Sequence, residues 1–182
     1  MPRALPRRGA LALALASLLG GCGFHPVYGR QADGSPGPAE VELANITVSI
    51  IAGRPGQLLR QALQQRLAGD GSLAGSHYRL NVVFWISGEG IAIQPDNSAT
   101  RVRLIAHANW TLVTNTTEPK QISTGSARAV DAFNILDQQY FAADLESEAV
   151  TKRLAQDIAS QITLQLATWF DEHPDAGRDA EG

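Results

Sequence analysis

The alternation of apolar and polar residues along the chain predicts four β-strands. Apolar residues take every second position in 78–86 and in 102–112, which is the pattern of a strand with one buried face. The segment 40–51 shows the same period in its second half. The segment 121–132 is a weaker strand of small residues, and its low bulk suits close packing against a helix.

Two segments carry apolar residues at helical spacing instead. The first follows a break at 53–56, where Pro55 suits the first turn of a helix. Its apolar positions lie on one face and are Leu59, Ala62, Leu63 and Leu67. The second segment is 144–170, in which apolar residues step by four at Val150, Leu154, Ile158, Ile162 and Leu166. Each helix therefore has one apolar stripe with which to cover a sheet.

The order of these elements predicts an α/β fold of the two-layer α+β type. The first strand, helix and second strand form a right-handed parallel crossover, and the second, third and fourth strands form an antiparallel meander. We therefore expect a four-stranded mixed sheet with two helices on one face, in the order β-α-β-β-β-α. The opposite face of the sheet is then left without a covering layer.

The amino terminus has the features of an export signal. Arg3, Arg7 and Arg8 precede the run 9–19, which is almost wholly Ala and Leu. The run is shorter than the roughly twenty apolar residues of a membrane span. Cys22, the only cysteine, follows two glycines, and this arrangement resembles the bacterial lipobox. In that motif the cysteine is lipidated and becomes the mature N-terminus.

Acylation of Cys22 would fix the exported domain to a membrane, because two acyl chains give stable anchoring. Gly23 stands where an aspartate would signal retention at the inner membrane, so we expect the periplasmic side of the outer membrane. The predicted divisions of the chain are a lipoprotein signal peptide at 1–21, a lipidated N-terminus and flexible tether at 22–39, an α/β domain at 40–170 and a disordered acidic tail at 171–182.

The charge of the chain argues against nucleic acid as a partner. The chain has 15 basic and 18 acidic residues, and removal of the three leader arginines leaves 12 basic residues and a net charge of −6. Nucleic-acid binders usually carry a basic footprint. No cofactor or metal is predicted, since the four histidines are scattered and none has the spacing of a metal motif such as H-E-x-x-H.

Three stretches resemble one protein family. They are Cys-Gly-Phe-His-Pro-Val-Tyr-Gly at 22–29, Gly-Ser-Ala-Arg-Ala at 125–129, and Phe133-Asn134 followed by Tyr-Phe-Ala at 140–142. They resemble the start of the mature chain, the final strand and the entry to the last helix in lipopolysaccharide-assembly lipoproteins of the LptE type from alphaproteobacteria. The predicted element order is also similar to that family's fold, so the resemblance covers essentially the whole mature chain.

The resemblance implies a non-enzymatic role at the outer membrane. Proteins of this family partner the LptD-like β-barrel of the lipopolysaccharide translocon, sit largely inside its lumen as a plug, and assist its assembly. They also bind lipopolysaccharide and help to insert it into the outer leaflet. The implied partners are therefore the barrel and a phosphorylated, acylated glycolipid, with the membrane reached through the acyl anchor.

The uncovered face of the predicted sheet is the candidate interface with the barrel. It mixes cationic, aromatic and aliphatic side chains, a composition that is enriched at protein interfaces. The candidate contacts are Arg79, Val83, Trp85, Ile105 and His107. The alternative is that these are scattered surface residues of the kind that every soluble protein carries.

Three arginines are candidate lipid-binding residues. Arg101 and Arg103 follow the turn predicted at 95–98 between the second and third strands, and Arg128 lies on the last strand. A guanidinium group pairs with phosphate in bidentate geometry, and a phosphorylated glycolipid would supply that partner. The alternative is that these arginines are solvated and contribute little.

Two other functions stay open on the sequence alone. One is an auxiliary lipoprotein of another envelope lipid-transport system, which would share the anchor and the sheet. The other is an envelope hydrolase, although the sequence has no G-x-S-x-G nucleophile elbow. No catalytic residue is predicted, and we expect the chain not to be an enzyme.

Overall fold

The computed structural model describes residues 37–67, 76–93, 99–135 and 140–176. Its elements are α1 (Pro38–Ala44), β1 (Ile46–Val48), α2 (Gly53–Leu67), β2 (Tyr78–Ile93), β3 (Ala99–Thr114), β4 (Gln121–Asn134) and α3 (Tyr140–Glu172). Cys22 and the predicted signal peptide lie outside the described residues, as do the predicted tether up to residue 36 and the predicted tail after residue 176.

The four strands form one mixed sheet in the order β1-β2-β3-β4. β1 runs parallel to β2, from the pair Ile46 and Tyr78 to the pair Val48 and Leu80. β2, β3 and β4 are antiparallel neighbours. The crossover from β1 through α2 to β2, followed by the meander, confirms the predicted two-layer α+β fold with its four-stranded mixed sheet.

The helical layer contains three helices among the described residues, whereas two were predicted. The additional helix, α1, lies where the sequence predicted the end of the tether and the start of a strand. Pro38 and Glu40 in its first turn favour the start of a helix, and Ala39 and Leu43 are buried in the core. The element order is therefore α-β-α-β-β-β-α: both predicted helices are present as α2 and α3, and α1 precedes the predicted order β-α-β-β-β-α.

The first strand is also shorter than the alternating pattern predicts. Ile46 and Val48 are buried, but Ile50 is 88% exposed and Ile51 is 3% exposed, so the alternation breaks at residue 50. The chain then turns at Gly53, whose φ of 78° lies in the left-handed region that glycine adopts without strain. The strand stops at Val48 because the backbone must leave the sheet to enter α2.

The hydrophobic core lies between one face of the sheet and the three helices. The five residues of α3 predicted from their spacing are almost fully buried, and they are Val150, Leu154, Ile158, Ile162 and Leu166. β4 approaches Trp110 so closely that a Cβ on Gly125 would lie 2.6 Å from the indole ring. The indole Nε1 donates to Gln165 Oε1 of α3 at 2.8 Å, which ties the sheet to the helix.

The end of α3 marks the end of the described domain. The helix runs to Glu172, two residues beyond the predicted boundary at 170, and Ala176 is partly buried against the core. Within the described ranges, no helix has both the length and the apolar character needed to cross a membrane.

Candidate functional site

The sheet face opposite the helices is the candidate functional site, and we call it the open face. It consists of the odd-numbered residues of β2 from 79 to 89, the odd-numbered residues of β3 from 101 to 111, and the even-numbered residues of β4 from 124 to 134. The structure places eight predicted site residues on this one face: Arg79, Val83, Trp85, Arg101, Arg103, Ile105, His107 and Arg128.

Three of these residues form a row across three strands. Trp85 of β2 lies opposite His107 of β3, which lies opposite Arg128 of β4. The indole and imidazole rings stack, with their centroids 5.1 Å apart and their planes 11° apart. Trp85 is still 46% exposed, so the stacked pair leaves part of its aromatic surface open to solvent in the same row as Arg128.

A depression of about 370 Å³ lies along this row. Its side chains include Trp85, His107, Asn109, Ser126, Arg128 and Gln161. An aromatic platform surrounded by amide, hydroxyl and guanidinium groups can hold a sugar ring or a phosphate, because stacking and charge-assisted hydrogen bonds act together. The chemistry of the depression therefore suits the polar head of a glycolipid.

Aliphatic side chains extend the open face beside the aromatic row. Val83 is 66% exposed and Val130 is 47% exposed. Ile105 lies between Ser87 and Val130 across the strands and is half-buried. Apolar side chains that are grouped on one face are typical of a surface that a partner covers.

A second group of arginines lies nearer the β2–β3 hairpin end. Arg103 Nη1 is 3.0 Å from Glu89 Oε1, and both side chains are about half exposed. An ion pair in this setting contributes about 1 kcal/mol or less to stability. Arg101 lies two residues away on the same strand and is exposed. Both guanidinium groups therefore keep donors that face solvent.

The three predicted lipid-binding arginines thus form two groups and not one. Arg128 lies opposite His107, whereas the residue opposite Arg103 is Ala132. Four residues along a strand correspond to ~13 Å at ~3.3 Å per residue. The backbone positions of the two groups therefore lie in separate parts of the open face, Arg128 within the aromatic row and Arg101 and Arg103 nearer the hairpin end.

Arg79 differs from the other predicted contacts because it is held by a polar network. Its guanidinium donates to the side-chain oxygen of Asn115, whose amide nitrogen donates to the backbone carbonyl of Ser76 at 3.0 Å. These bonds join the start of β2 to the turn after β3. Arg79 therefore has a structural role in addition to its position on the open face.

Val130 and Gln161 also contribute to this surface, although neither was predicted from the sequence. Val130 escaped notice because the small residues of β4 do not alternate clearly between apolar and polar. Gln161 belongs to α3, and it accepts a hydrogen bond from the backbone N–H of Arg128 and donates one to the backbone carbonyl of the same residue. A helix residue that reaches a sheet edge leaves no signal in the local sequence.

A separate groove of about 520 Å³ lies between α2 and α3. Arg54 and Glu148 form an ion pair across it at 3.3 Å, and Gln61 and Lys152 also line it. It contains none of the predicted site residues. In the part of the chain that the structure describes, no three His, Cys, Asp or Glu residues are grouped as a metal site would require.

The fold is similar to that of several solved bacterial lipoproteins. A candidate lipoprotein from Caulobacter crescentus CB15 matches with a TM-score of 0.57 and 26% identity, over 75% of this chain and 98% of that one. The rare lipoprotein B from Shewanella oneidensis matches with a TM-score of 0.51 and 12% identity, over 70% and 96% of the two chains. The minor lipoprotein from Acinetobacter baumannii matches with a TM-score of 0.51 and 13% identity, over 68% and 90%. The last two show likeness of fold alone.

The class of protein is therefore a two-layer α+β domain of the bacterial lipoprotein type. A family model named LptE and described as lipopolysaccharide-assembly matches residues 43–166, more than half of the chain and a range that includes the whole open face. The chain belongs to the LptE family, which confirms the resemblance seen in the sequence. This family is a non-enzymatic one concerned with lipopolysaccharide assembly. No curated protein matches the chain.

Proposed function

We propose that this chain is an outer-membrane lipoprotein that plugs the lipopolysaccharide translocon barrel, assists its assembly and helps to insert lipopolysaccharide into the outer leaflet. Its family supports a role in lipopolysaccharide assembly. The single observation that carries the finer proposal is the open face, on which aromatic, aliphatic and cationic side chains are brought together without a covering layer among the described residues. The proposal includes no catalytic step.

The aromatic row and its aliphatic neighbours form the contact with the barrel. Interfaces bury aromatic and aliphatic residues at their centre and place arginines where they make directed contacts. Val83, Trp85 and Ile105 provide the centre of such a patch, and Arg79 and Arg103 lie further out along the strands. Burial of Val83 and Trp85 against a partner would remove exposed apolar area that the isolated domain leaves in water.

Matched substitutions on the two sides of the domain test this contact. Val83→Asp places a charge in the open face, and Leu164→Asp places the same charge on the outer side of α3, where Leu164 is 50% exposed. We expect Val83→Asp to reduce recovery of the barrel in co-purification at least tenfold and Leu164→Asp to leave it unchanged. Trp85→Ala and Arg103→Glu should also reduce it.

Equal recovery of the barrel with both aspartate variants would refute the proposed interface, provided that thermal unfolding shows both to be folded. The same co-purification separates the proposal from the auxiliary lipoprotein of another transport system. Such a protein would associate with a different partner and would not recover the barrel at all.

The arginines of the open face provide the proposed contacts with lipopolysaccharide. Arg101 and Arg103 form one anionic-group site, and Arg128 in the depression forms the other. Arg101→Glu and Arg128→Glu are each expected to weaken binding of purified lipopolysaccharide about tenfold, which corresponds to ~1.4 kcal/mol. Arg66→Glu is the control, because it makes the same change of charge at an exposed position of α2, away from the open face. Equal losses in all three variants would mean that only net charge matters.

Acylation of Cys22 is the proposed means of attachment. The residue is the only cysteine and lies outside the described part of the structure. Mass spectrometry of the mature protein is expected to find a chain that begins at residue 22 and carries acyl mass on that residue. An unprocessed leader, or a mature chain without acyl mass, would contradict the proposal.

A further inference from the structure

The edge of the sheet formed by β4 is covered by side chains. Gln161 of α3 makes two hydrogen bonds with the backbone of Arg128, at 3.3 Å to its nitrogen and 3.1 Å to its oxygen. Gln165 Nε2 donates to the carbonyl of Ser126 at 3.0 Å. Such side chains occupy the backbone groups that would otherwise pair with another strand. The β4 edge is therefore capped at Ser126 and Arg128.

Among the described residues, the opposite edge, formed by β2, is covered only at its start. Tyr78 N–H donates to the carbonyl of Asn45 at 3.2 Å, and Ser49 N–H donates to the carbonyl of Leu80 at 3.0 Å. Even-numbered residues of β2 therefore direct their backbone groups towards this edge. The same alternation applies further along the strand to Val82, Phe84, Ile86, Gly88 and Gly90. None of the described residues pairs with the backbone of these five on that side.

The sequence of this free edge is typical of an interior strand. Residues 82–86 are Val-Val-Phe-Trp-Ile, a continuous apolar run without charge or proline. Strands that are enclosed in a sheet have such runs, whereas exposed edge strands usually carry charges, proline or bulges. Phe84 and Ile86 are only partly buried on the helix side. The strand therefore has the composition of a central position but occupies an edge.

The end of β1 defines where the free edge begins. The chain leaves the sheet after Ser49, and the next residue, Ile50, is 88% exposed. The free edge from 82 to 90 covers nine residues, or ~30 Å at ~3.3 Å per residue. A further strand placed here would continue the line of β1 and would begin beside an exposed isoleucine.

We propose that the β2 edge from 82 to 90 is a docking site for an extended, uncharged, apolar segment of another polypeptide, which adds to the sheet as a fifth strand. Backbone hydrogen bonds to the five outward-facing residues supply the affinity. Alternate side chains of the segment contact Val83 and Trp85 on one face and Phe84 and Ile86 on the other. The proposal concerns the edge of the sheet and does not rest on the barrel role of the open face.

The charge distribution favours a foreign segment over a second copy of this chain. Glu89 is the only charged residue from 82 to 91, and it already pairs with Arg103. If residues 82–90 of two copies paired as antiparallel strands, Ile86 of one copy would lie opposite Ile86 of the other. This register places Glu89 of each copy opposite Val83 of the other. The charged–apolar pair occurs twice, which disfavours a second copy as the occupant.

Amide hydrogen exchange of the full chain in detergent tests the proposal residue by residue. The probe is an acetylated and amidated nonapeptide of alternating valine and threonine, and the control peptide has proline at its centre. The probe is expected to slow exchange at the amides of Phe84, Ile86 and Gly88 at least tenfold. The odd-numbered amides, which pair with β3, should not change. The proline peptide should have no effect.

Two substitutions of Gly88 distinguish the loss of a backbone N–H from the addition of a side chain. Gly88→Pro removes an outward-facing N–H without removing a bond to β3. Gly88→Ala keeps the N–H. Its Cβ would lie 3.1 Å from the end of the flexible Leu104 side chain and in ordinary van der Waals contact with Val102 at 3.8 Å and the Arg103 carbonyl at 3.9 Å. We expect Gly88→Pro to lose the effect of the probe and Gly88→Ala to keep it. Gly90→Pro and Gly90→Ala repeat the comparison should Gly88→Pro fail to fold.

Three results would overturn the proposal. The first is unchanged exchange at the even-numbered amides in the presence of the probe. The second is equal slowing in the proline and alanine variants of both glycines. The third is slow exchange of these amides without any peptide, together with a dimer in sedimentation, since that result assigns the edge to a second copy of the chain.

Discussion

The covered and open faces of the sheet are built from the same strands but have opposite surroundings. On the covered face, Tyr78, Leu80 and Leu112 are completely buried beneath the helices. On the open face, the side chains of Val83 and Trp85 are 66% and 46% exposed to solvent. The side chains of adjacent residues point to opposite faces, so a single strand serves both. One face holds the fold together, and the other is free to bind.

This difference means that stability and binding can be changed separately. Removal of a buried side chain loses its transfer free energy and leaves a cavity, whereas most exposed substitutions change stability by ~0.5 kcal/mol or less. Substitutions on the covered face should therefore lower the free energy of unfolding strongly, and those on the open face should change it little and act mainly on binding of partners.

The largest effect is expected in the core of α3. Leu154 is completely buried, and Leu154→Ala should lower the free energy of unfolding by ~2–5 kcal/mol in urea titration. Leu164 lies on the same helix and is 50% exposed, so Leu164→Ala should change the free energy of unfolding by ~0.5 kcal/mol or less. Similar losses in the two variants would remove the distinction between the sides of the helix.

A smaller effect is expected where β4 contacts Trp110. The added methyl of Gly125→Ala would lie 2.6 Å from the indole, so the ring must move, and we expect a loss of ~1–3 kcal/mol in the same titration. Gly88→Ala is the matched control, because the tightest contact of its new methyl, at 3.1 Å, is with the end of the flexible Leu104 side chain. Unchanged stability of Gly125→Ala would show that this contact is not tight.

The capping of the β4 edge at Arg128 should depend on Gln161. Gln161→Leu removes two hydrogen bonds to the backbone of Arg128, with an expected cost of ~1 kcal/mol and faster exchange of the Arg128 amide. Gln64→Leu makes the same change at an exposed position of α2. It should change neither the free energy of unfolding nor the exchange of the Arg128 amide. If exchange at Arg128 stays as slow as in the parent protein, Gln161 does not protect the edge.

The smallest effect is expected for the ion pair of the open face. A double-mutant cycle on Arg103 and Glu89 should give a coupling of ~0.2–1 kcal/mol, because both groups are half exposed. The coupling should fall as salt is added, since screening weakens exposed charge pairs. A coupling that salt does not change would indicate that the pair is held by something other than charge.

The periodic segments of the sequence were sufficient to predict the sheet and the two long helices. The alternation in 102–112 and the steps of four from Val150 to Leu166 each reflect one buried face, which is a local property of a strand or a helix. Eight predicted site residues fall on one face for the same reason. To place these residues on one face, it was enough to know on which side of the sheet each side chain lies, and the two-residue period of a strand gives that side.

The features that the sequence did not predict depend on contacts between distant elements. α1 forms because Ala39 and Leu43 find a place in the core, and a seven-residue segment has no clear period of its own. Ile50 continues an alternating pattern, yet the turn into α2 leaves it exposed. The hydrogen bonds of Gln161 to β4 join residues 33 positions apart. No local pattern contains such information.

Photo-crosslinking in living cells tests the role of the open face most directly. A photoreactive residue would replace Val83, Ile105 or Val130 on the open face, and Leu145 or Leu164 on the outer side of α3. All five variants change an apolar side chain, and four of the five positions are among the most exposed large apolar residues described. We predict that adducts with the translocon barrel form several times more strongly from the open face. Equal or stronger adducts from the helix positions would contradict the account.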